Sequence, residues 1–193
     1  MTSEKDFYGE LAKFDPSPDL VDEATDMEED DEHVLLICGD CPQARALADL
    51  ADKCGFVVDV AVQTALEAEA GNFSKARKVQ ALPGFDNLIQ ACGIGRSHYV
   101  CIFAPDEESC LNALYEAIES HAFYIGVWAS PEERGDLFAK LKEMGVPDAE
   151  LAPVCCPIGL SVYAENPVQA SVAVVAELLA ARAGTLGRLR LDD

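Results

Sequence analysis

Five short apolar runs recur along this chain with helical patterns between them, and that alternation constrains the fold more than any other feature. The runs are HVLLIC (33–38), FVVDVAV (56–62), KVQAL (78–82), YVCIF (99–103) and FYIGVW (123–128). Each is rich in the β-branched or aromatic residues that favour strands. Between them the spacing predicts helices over Pro42 to Lys53, Gly84 to Cys92, Asp106 to His121 and Pro131 to Met144. Leu111, Leu114, Tyr115 and Ile118 stand at i, i+3, i+4 and i+7, the stripe of a helix lying on a sheet. Such a series implies an α/β fold, a Rossmann-like doubly wound and mostly parallel sheet flanked by helices.

Two late helices carry full start signals. Ser130, Pro131 and Glu133 supply a cap, a first helical residue and a capping-box partner, with Gly145 as the stop. Asn166, Pro167 and Gln169 repeat the arrangement before a last helix that ends near Gly184. That helix, VQASVAVVAELLAARA, is apolar nearly all round, with Glu177 its only acid. A helix of this kind buries itself against the sheet or against a second copy of the chain, so a homo-oligomer through this helix is one expectation.

Charge divides the chain in two. Residues 1–32 hold 13 of the 35 acidic side chains and only two basic ones, Lys5 and Lys13. They read as an acidic tail, with one short helix over Asp6 to Phe14 and a solvated linker over Asp26 to Glu32. A solubilising leader is the simpler role for it and a partner-binding arm the alternative. Residues 33–193 then form the Rossmann domain. The net charge of −21 opposes nucleic acid and anionic membranes as partners. No apolar stretch has the length of a spanning helix and the first residues are polar and acidic, so the expected location is cytoplasmic.

Eight cysteines in a chain with its own core and no export signal read as free thiols. Cys101 and Cys54 look like small buried hydrophobes. His33, His98 and His121 share no motif and read as structural or solvated. The pairs Cys38/Cys41 and Cys155/Cys156 invite chemistry. In LLICGDCPQARAL (35–47) the CxxC pair lies where the first strand meets a proline-led helix. A redox dithiol needs its first thiol at the helix mouth, but here that place falls to Cys41. A structural zinc site lacks a second pair at suitable local spacing. The third reading compares Gly39 to Ala44 with the dinucleotide turn G-x-G-x-x-G/A. Gly39 and Ala44 fit, Cys41 replaces the second glycine, and Val62, Gln63 and Thr64 stand where an acid for the ribose is expected. NAD(P) is therefore a doubtful cofactor.

The segment from Tyr124 to Gly184 resembles the C-terminal Rossmann domain of the XdhC/CoxI family, accessory proteins for molybdenum hydroxylases such as xanthine dehydrogenase. Tyr124, Ile125, Gly126 and Ser130 match that family's YIG-x-IGS, and Pro157, Ile158, Gly159 and Leu160 match its PIGL motif. Pro167 and the Ala176, Glu177 pair match the family's closing helix, while Gly39, Ala44, Arg45, Ala46 and Leu47 match its first strand and helix. The departures are Cys41 for a glycine, Cys155 for a histidine, Ser161 for an aspartate, Tyr163 for a glycine, Trp128 for an isoleucine and APDEE (104–108) for T-H-x-H.

The resemblance implies an accessory role in maturing a molybdenum hydroxylase, with the apoenzyme as partner and the molybdenum cofactor as a ligand of a modified crevice. A pterin dithiolene would rest its phosphate on the first helix N-terminus. The residues this places at the crevice are Gly39, Asp40, Cys41, Gln43 and Ala44 at the turn, Ala104 after the fourth strand, Trp128 and Ser130 after the fifth, and Cys155 and Cys156. The thiols of Cys41 and Cys155 or Cys156 offer soft ligands for molybdenum or carry sulfur, or else fill space that glycine and histidine leave. Trp128 caps the crevice by stacking, or packs. No catalytic acid, base or nucleophile emerges, so the reading is an accessory protein rather than an enzyme. The alternatives are a nucleotide-dependent oxidoreductase, which the missing glycine and acid both oppose, and a non-catalytic interaction module with a degenerate nucleotide site.

Overall fold

The computed structural model describes residues 32–186, so the acidic tail and its expected helix lie outside the described residues. Five strands form one all-parallel sheet: β1 (Val34–Cys38), β2 (Val57–Val62), β3 (Lys78–Ala81), β4 (His98–Ile102) and β5 (Tyr124–Val127), in the order β3-β2-β1-β4-β5. Seven helices connect or follow them: α1 (Pro42–Lys53), α2 (Ala65–Glu69), α3 (Leu88–Cys92), α4 (Glu107–Glu119), α5 (Pro131–Glu143), α6 (Asp148–Leu151) and α7 (Pro167–Arg182). The chain leaves β1 toward β2 on one side and returns to β4 on the other, which places the topological switch point between β1 and β4.

Alternate residues of each strand serve two cores, which is why the runs read as continuously apolar. Leu35, Ile37, Val58, Val60, Tyr99 and Cys101 face α1 and α7, meeting Leu47, Ala48, Val174 and Leu178. Leu36, Cys38, Val100, Ile102 and Val127 face the other layer, meeting Leu88, Leu114, Leu137 and Leu141. The apolar circumference of α7 is thus buried within the domain itself, with Val168 and Val172 left exposed.

Two features depart from the sequence reading. The helix expected over Gly84 to Cys92 is broken: Pro83–Phe85 is a 3-10 turn, and Gly84, Phe85 and Asn87 all have positive φ before α3 begins. Left-handed backbone at Phe85 turns its ring into the core, where it is fully buried, and that burial offsets an unfavourable conformation. The short helices α2 and α6 are additions to the pattern. The first carries a legible signal, since Thr64 and Glu67 close a reciprocal capping box. The Ser130 and Asn166 caps form as expected, with Ser130 Oγ accepting from the Glu133 N–H at 3.2 Å and Asn166 Oδ1 from the Gln169 N–H at 3.0 Å.

Candidate functional site

The carboxyl ends of β1, β4 and β5 open into one crevice, and the switch point forces its geometry. Gly39 leaves β1 with φ +121°, and its N–H donates to the Ala61 carbonyl at 2.8 Å. A Cβ at this position would lie 2.1 Å from the carbonyl oxygen of Phe103, so the β1 exit and the β4 exit touch backbone to backbone. Phe103 N–H in turn donates to the Cys38 carbonyl at 2.7 Å. Glycine is required here because no side chain fits between two strands leaving in opposite directions.

Past Gly39 the chain enters α1 through a cap that uses sulfur. Cys41 has extended backbone, and its Sγ accepts the Ala44 N–H at 3.4 Å. Pro42 has no N–H, and the Arg45 N–H is taken by the Cys41 carbonyl at 3.0 Å. The donors that a phosphate would use at a helix mouth are therefore partly removed or engaged. Asp40 stands just before this cap with a side chain only 3% exposed. Arg45 holds it in a two-point contact, Nε to Oδ1 at 2.5 Å and Nη2 to Oδ2 at 3.0 Å, and Asn72 Nδ2 donates to Oδ2 at 2.9 Å. Burial alone would raise the pKa of this carboxyl, but the bonds from Arg45 and Asn72 and the guanidinium charge outweigh it, so the pKa falls.

That depression sets the sign of a pH dependence. The stabilisation from Asp40 is fully present above its unfolded value, about 3.9, and is lost as pH falls through its lower folded value. The stability gap between the natural protein and Asp40→Asn, followed by urea unfolding, is expected to be constant near neutrality and to shrink steadily below about pH 4. A gap that widens on acidification would refute the assignment.

Three clefts share the floor made by Ala104 and Trp128. One of about 180 Å³ lies over the α1 mouth and includes Asp40, Cys41, Gln43, Gln63 and Glu67. A second, about 330 Å³, opens between α4 and α5 with Asp106, Glu107, Glu133 and Asp136 on its walls. The largest, about 570 Å³, runs along Ser130, Pro157, Ile158, Leu160 and Val162 to the start of α7. The Trp128 indole is 44% exposed and stacks on Phe103 with ring centres 5.8 Å apart. The main-chain N–H of Trp128 donates to the Ile102 carbonyl at 2.9 Å, which fixes the platform to the end of β4.

Of the residues expected at the crevice, the structure brings Asp40, Cys41, Gln43, Ala104, Trp128 and Ser130 to these clefts, with Gly39 and Ala44 beneath them. It does not bring Cys155 or Cys156 there. Both are buried, one in each core, because the segment they occupy pairs with β5: Cys155 N–H donates to the Ile125 carbonyl and its own carbonyl accepts the Val127 N–H, each at 2.8 Å. Neither thiol lines any of the three clefts. Cys38 is likewise wholly buried on the sheet face opposite the layer that Cys41 packs against, and burial raises its pKa well above the usual thiol range. The CxxC pair is split across the sheet: strand alternation turns Cys38 to one face, and the cap of α1 holds Cys41 on the other. None of the eight cysteines is in a disulfide.

Residues that the sequence reading passed over do much of the building. Gln63, which stands where an acid was expected, accepts the Gly84 N–H at 2.6 Å and ties the end of β2 to the turn after β3. Glu177, buried in α7, accepts the Tyr124 hydroxyl and also the Gly159 N–H at 3.0 Å, so one carboxylate joins β5, α7 and the PIGL loop. Its place as the only acid in an apolar helix was the available signal. Among the described residues no group of three or more His, Cys, Asp or Glu is placed to hold a metal.

The fold and this switch-point crevice define a Rossmann-type domain with Cys41 capping the helix after its first strand. The chain belongs to the family of the XdhC Rossmann domain, which matches it over residues 35–178. It is 26% identical over 159 residues to the YqeB protein of Escherichia coli (strain K12), covering 81% of this chain and 29% of that one. A crystal structure of a xanthine dehydrogenase from Bacillus halodurans superposes with a TM-score of 0.68 at 22% identity, covering 84% of this chain and 45% of that one. The chain therefore spans less than half the length of either. No helix among the described residues is long and apolar enough to cross a membrane.

Proposed function

We propose that this domain is an accessory protein in the maturation of a molybdenum hydroxylase of the xanthine dehydrogenase type, and that it acts by binding the apoenzyme. Membership of the XdhC Rossmann domain family over most of the chain is the observation that carries this reading. The form of the crevice supports contact with a protein. Trp128, Val162 and Tyr163 are exposed apolar side chains on or beside the largest cleft, and Val168 and Val172 extend the exposed apolar surface along α7. Exposed aromatic anchors of this kind are the usual centres of protein interfaces.

The lining of the clefts opposes the phosphate that the molybdenum cofactor or a dinucleotide carries. No Lys, Arg or His lines any of the three clefts, whereas Asp40, Glu67, Asp106, Glu107, Glu133 and Asp136 do. The proposed role accordingly rests on contact between proteins, with no step routed through a bound cofactor.

The test is co-expression with a xanthine dehydrogenase-type apoenzyme of the same host. The two chains are expected to co-elute in size-exclusion chromatography, and leaving this chain out is expected to lower the molybdenum content of the hydroxylase. Trp128→Ala should weaken the complex about tenfold or more, as truncation of an aromatic anchor does, without moving the melting temperature by more than a few degrees. No complex together with unchanged molybdenum content would sink the proposal.

A further inference from the structure

We propose that Asp40 and Cys41 together make this crevice reject phosphate-bearing ligands, Asp40 by fixing a negative charge beside the α1 mouth and Cys41 by occupying its turn. This property is separate from the maturation role and holds whether or not a hydroxylase is the partner.

An anion belongs at the mouth of α1, since the helix dipole and its terminal N–H groups favour one there. Here a fixed carboxylate already stands beside it, held by the side chains of Arg45 and Asn72. Asp40 is buried one residue before the cap and receives three charge-assisted or amide bonds, two from Arg45 and one from Asn72. Arg45 lies in the first turns of α1, and its guanidinium is engaged in two-point fashion with this internal carboxylate. Cys41 takes the next donor, the Ala44 N–H, and fills with sulfur the space that a glycine would leave open. Glu67 and Asp40 line the adjoining cleft, and neither it nor its two neighbours has a basic residue on its walls. A phosphate entering this turn would meet fixed negative charge with its counter-charge already neutralised.

Exclusion by particular residues is reversible in a defined way. Asp40→Asn keeps an amide of the same shape beside Asn72, removes the charge and frees Arg45. Cys41→Gly opens the turn and returns the Ala44 N–H. Isothermal titration calorimetry with inorganic pyrophosphate and with NAD+, at low ionic strength so that screening does not mask the effect, reads both. The natural protein is expected to give no saturable heat at millimolar probe, and the double variant Asp40→Asn/Cys41→Gly to bind pyrophosphate about tenfold or more tightly than the natural protein. Asp40→Glu, which retains the charge, should remain closed to it. Should the double variant lose its fold by circular dichroism, Cys41→Gly alone is read, with a smaller gain expected. Micromolar binding of either probe by the natural protein overturns the proposal, and so does a folded variant that gains nothing.

Discussion

Gly39→Ala is expected to destabilise the domain by about 3–5 kcal/mol, a large loss for a single methyl group. The added Cβ would sit 2.1 Å from the Phe103 carbonyl oxygen and 2.8 Å from its carbonyl carbon, and both are backbone atoms at the end of β4. No rotamer change relieves such a contact. Relief would require β1 and β4 to separate at their carboxyl ends, which breaks the 2.7 Å bond from Phe103 N–H to Cys38 and tilts the Trp128 platform that stacks on Phe103. The φ of +121° adds strain for any L side chain. Thermal unfolding should show a drop of roughly 10 °C. Gly135→Ala in α5 is the matched control. Nothing lies within 4 Å of the position its methyl group would take, so that change should stabilise by about 0.5–1 kcal/mol through helix propensity. Equal effects at the two sites would show that the close approach at the switch point is not what Gly39 serves.

Glu177→Ala is expected to cost about 3–5 kcal/mol, from a buried hydroxyl and a half-buried N–H left without this acceptor and a cavity left under α7. The Tyr124 hydroxyl and the Gly159 N–H share one oxygen of this carboxylate, and Tyr124 is buried with a pKa raised well above the ordinary phenol range, chiefly by burial. Glu177→Gln keeps an acceptor oxygen in the same place and should cost much less, about 1–2 kcal/mol. Urea unfolding separates the two. A second readout is local: near-ultraviolet circular dichroism of Tyr124 and hydrogen exchange at Gly159 should change in Glu177→Ala before global unfolding does. If alanine and glutamine behaved alike, shape rather than hydrogen bonding would be the role of this side chain.

Strand and helix periodicity in the sequence agrees with all five strands to within about two residues, because burial of both sheet faces makes each strand a continuous apolar run. The caps of α5 and α7 were equally legible, since a capping side chain satisfies donors only three residues away. The break at Phe85 was hidden: positive φ at a large apolar residue arises from tertiary burial, and no local pattern announces it.

The site divides in the same manner. That Cys41 stands at the second-glycine position of a dinucleotide turn was legible in the sequence alone, because that fingerprint is local. What fills the turn was decided by tertiary structure. Asn72 meets Asp40 across 32 positions of sequence, and the 3% exposure of that side chain depends on loops that the sheet brings together. The four cysteines of the two suggestive pairs were sorted the same way. Strand alternation sends Cys38 to one core and leaves Cys41 at the helix mouth, and pairing of the 155 segment with β5 buries Cys155 and Cys156 on opposite sides. By itself the sequence determined an α/β domain with a cysteine in the turn after its first strand, since local spacing governs both. Only the tertiary structure decided that the Asp40 carboxylate is buried beside that turn and that Cys155 and Cys156 lie away from the three clefts, because each depends on contacts between segments far apart in the chain.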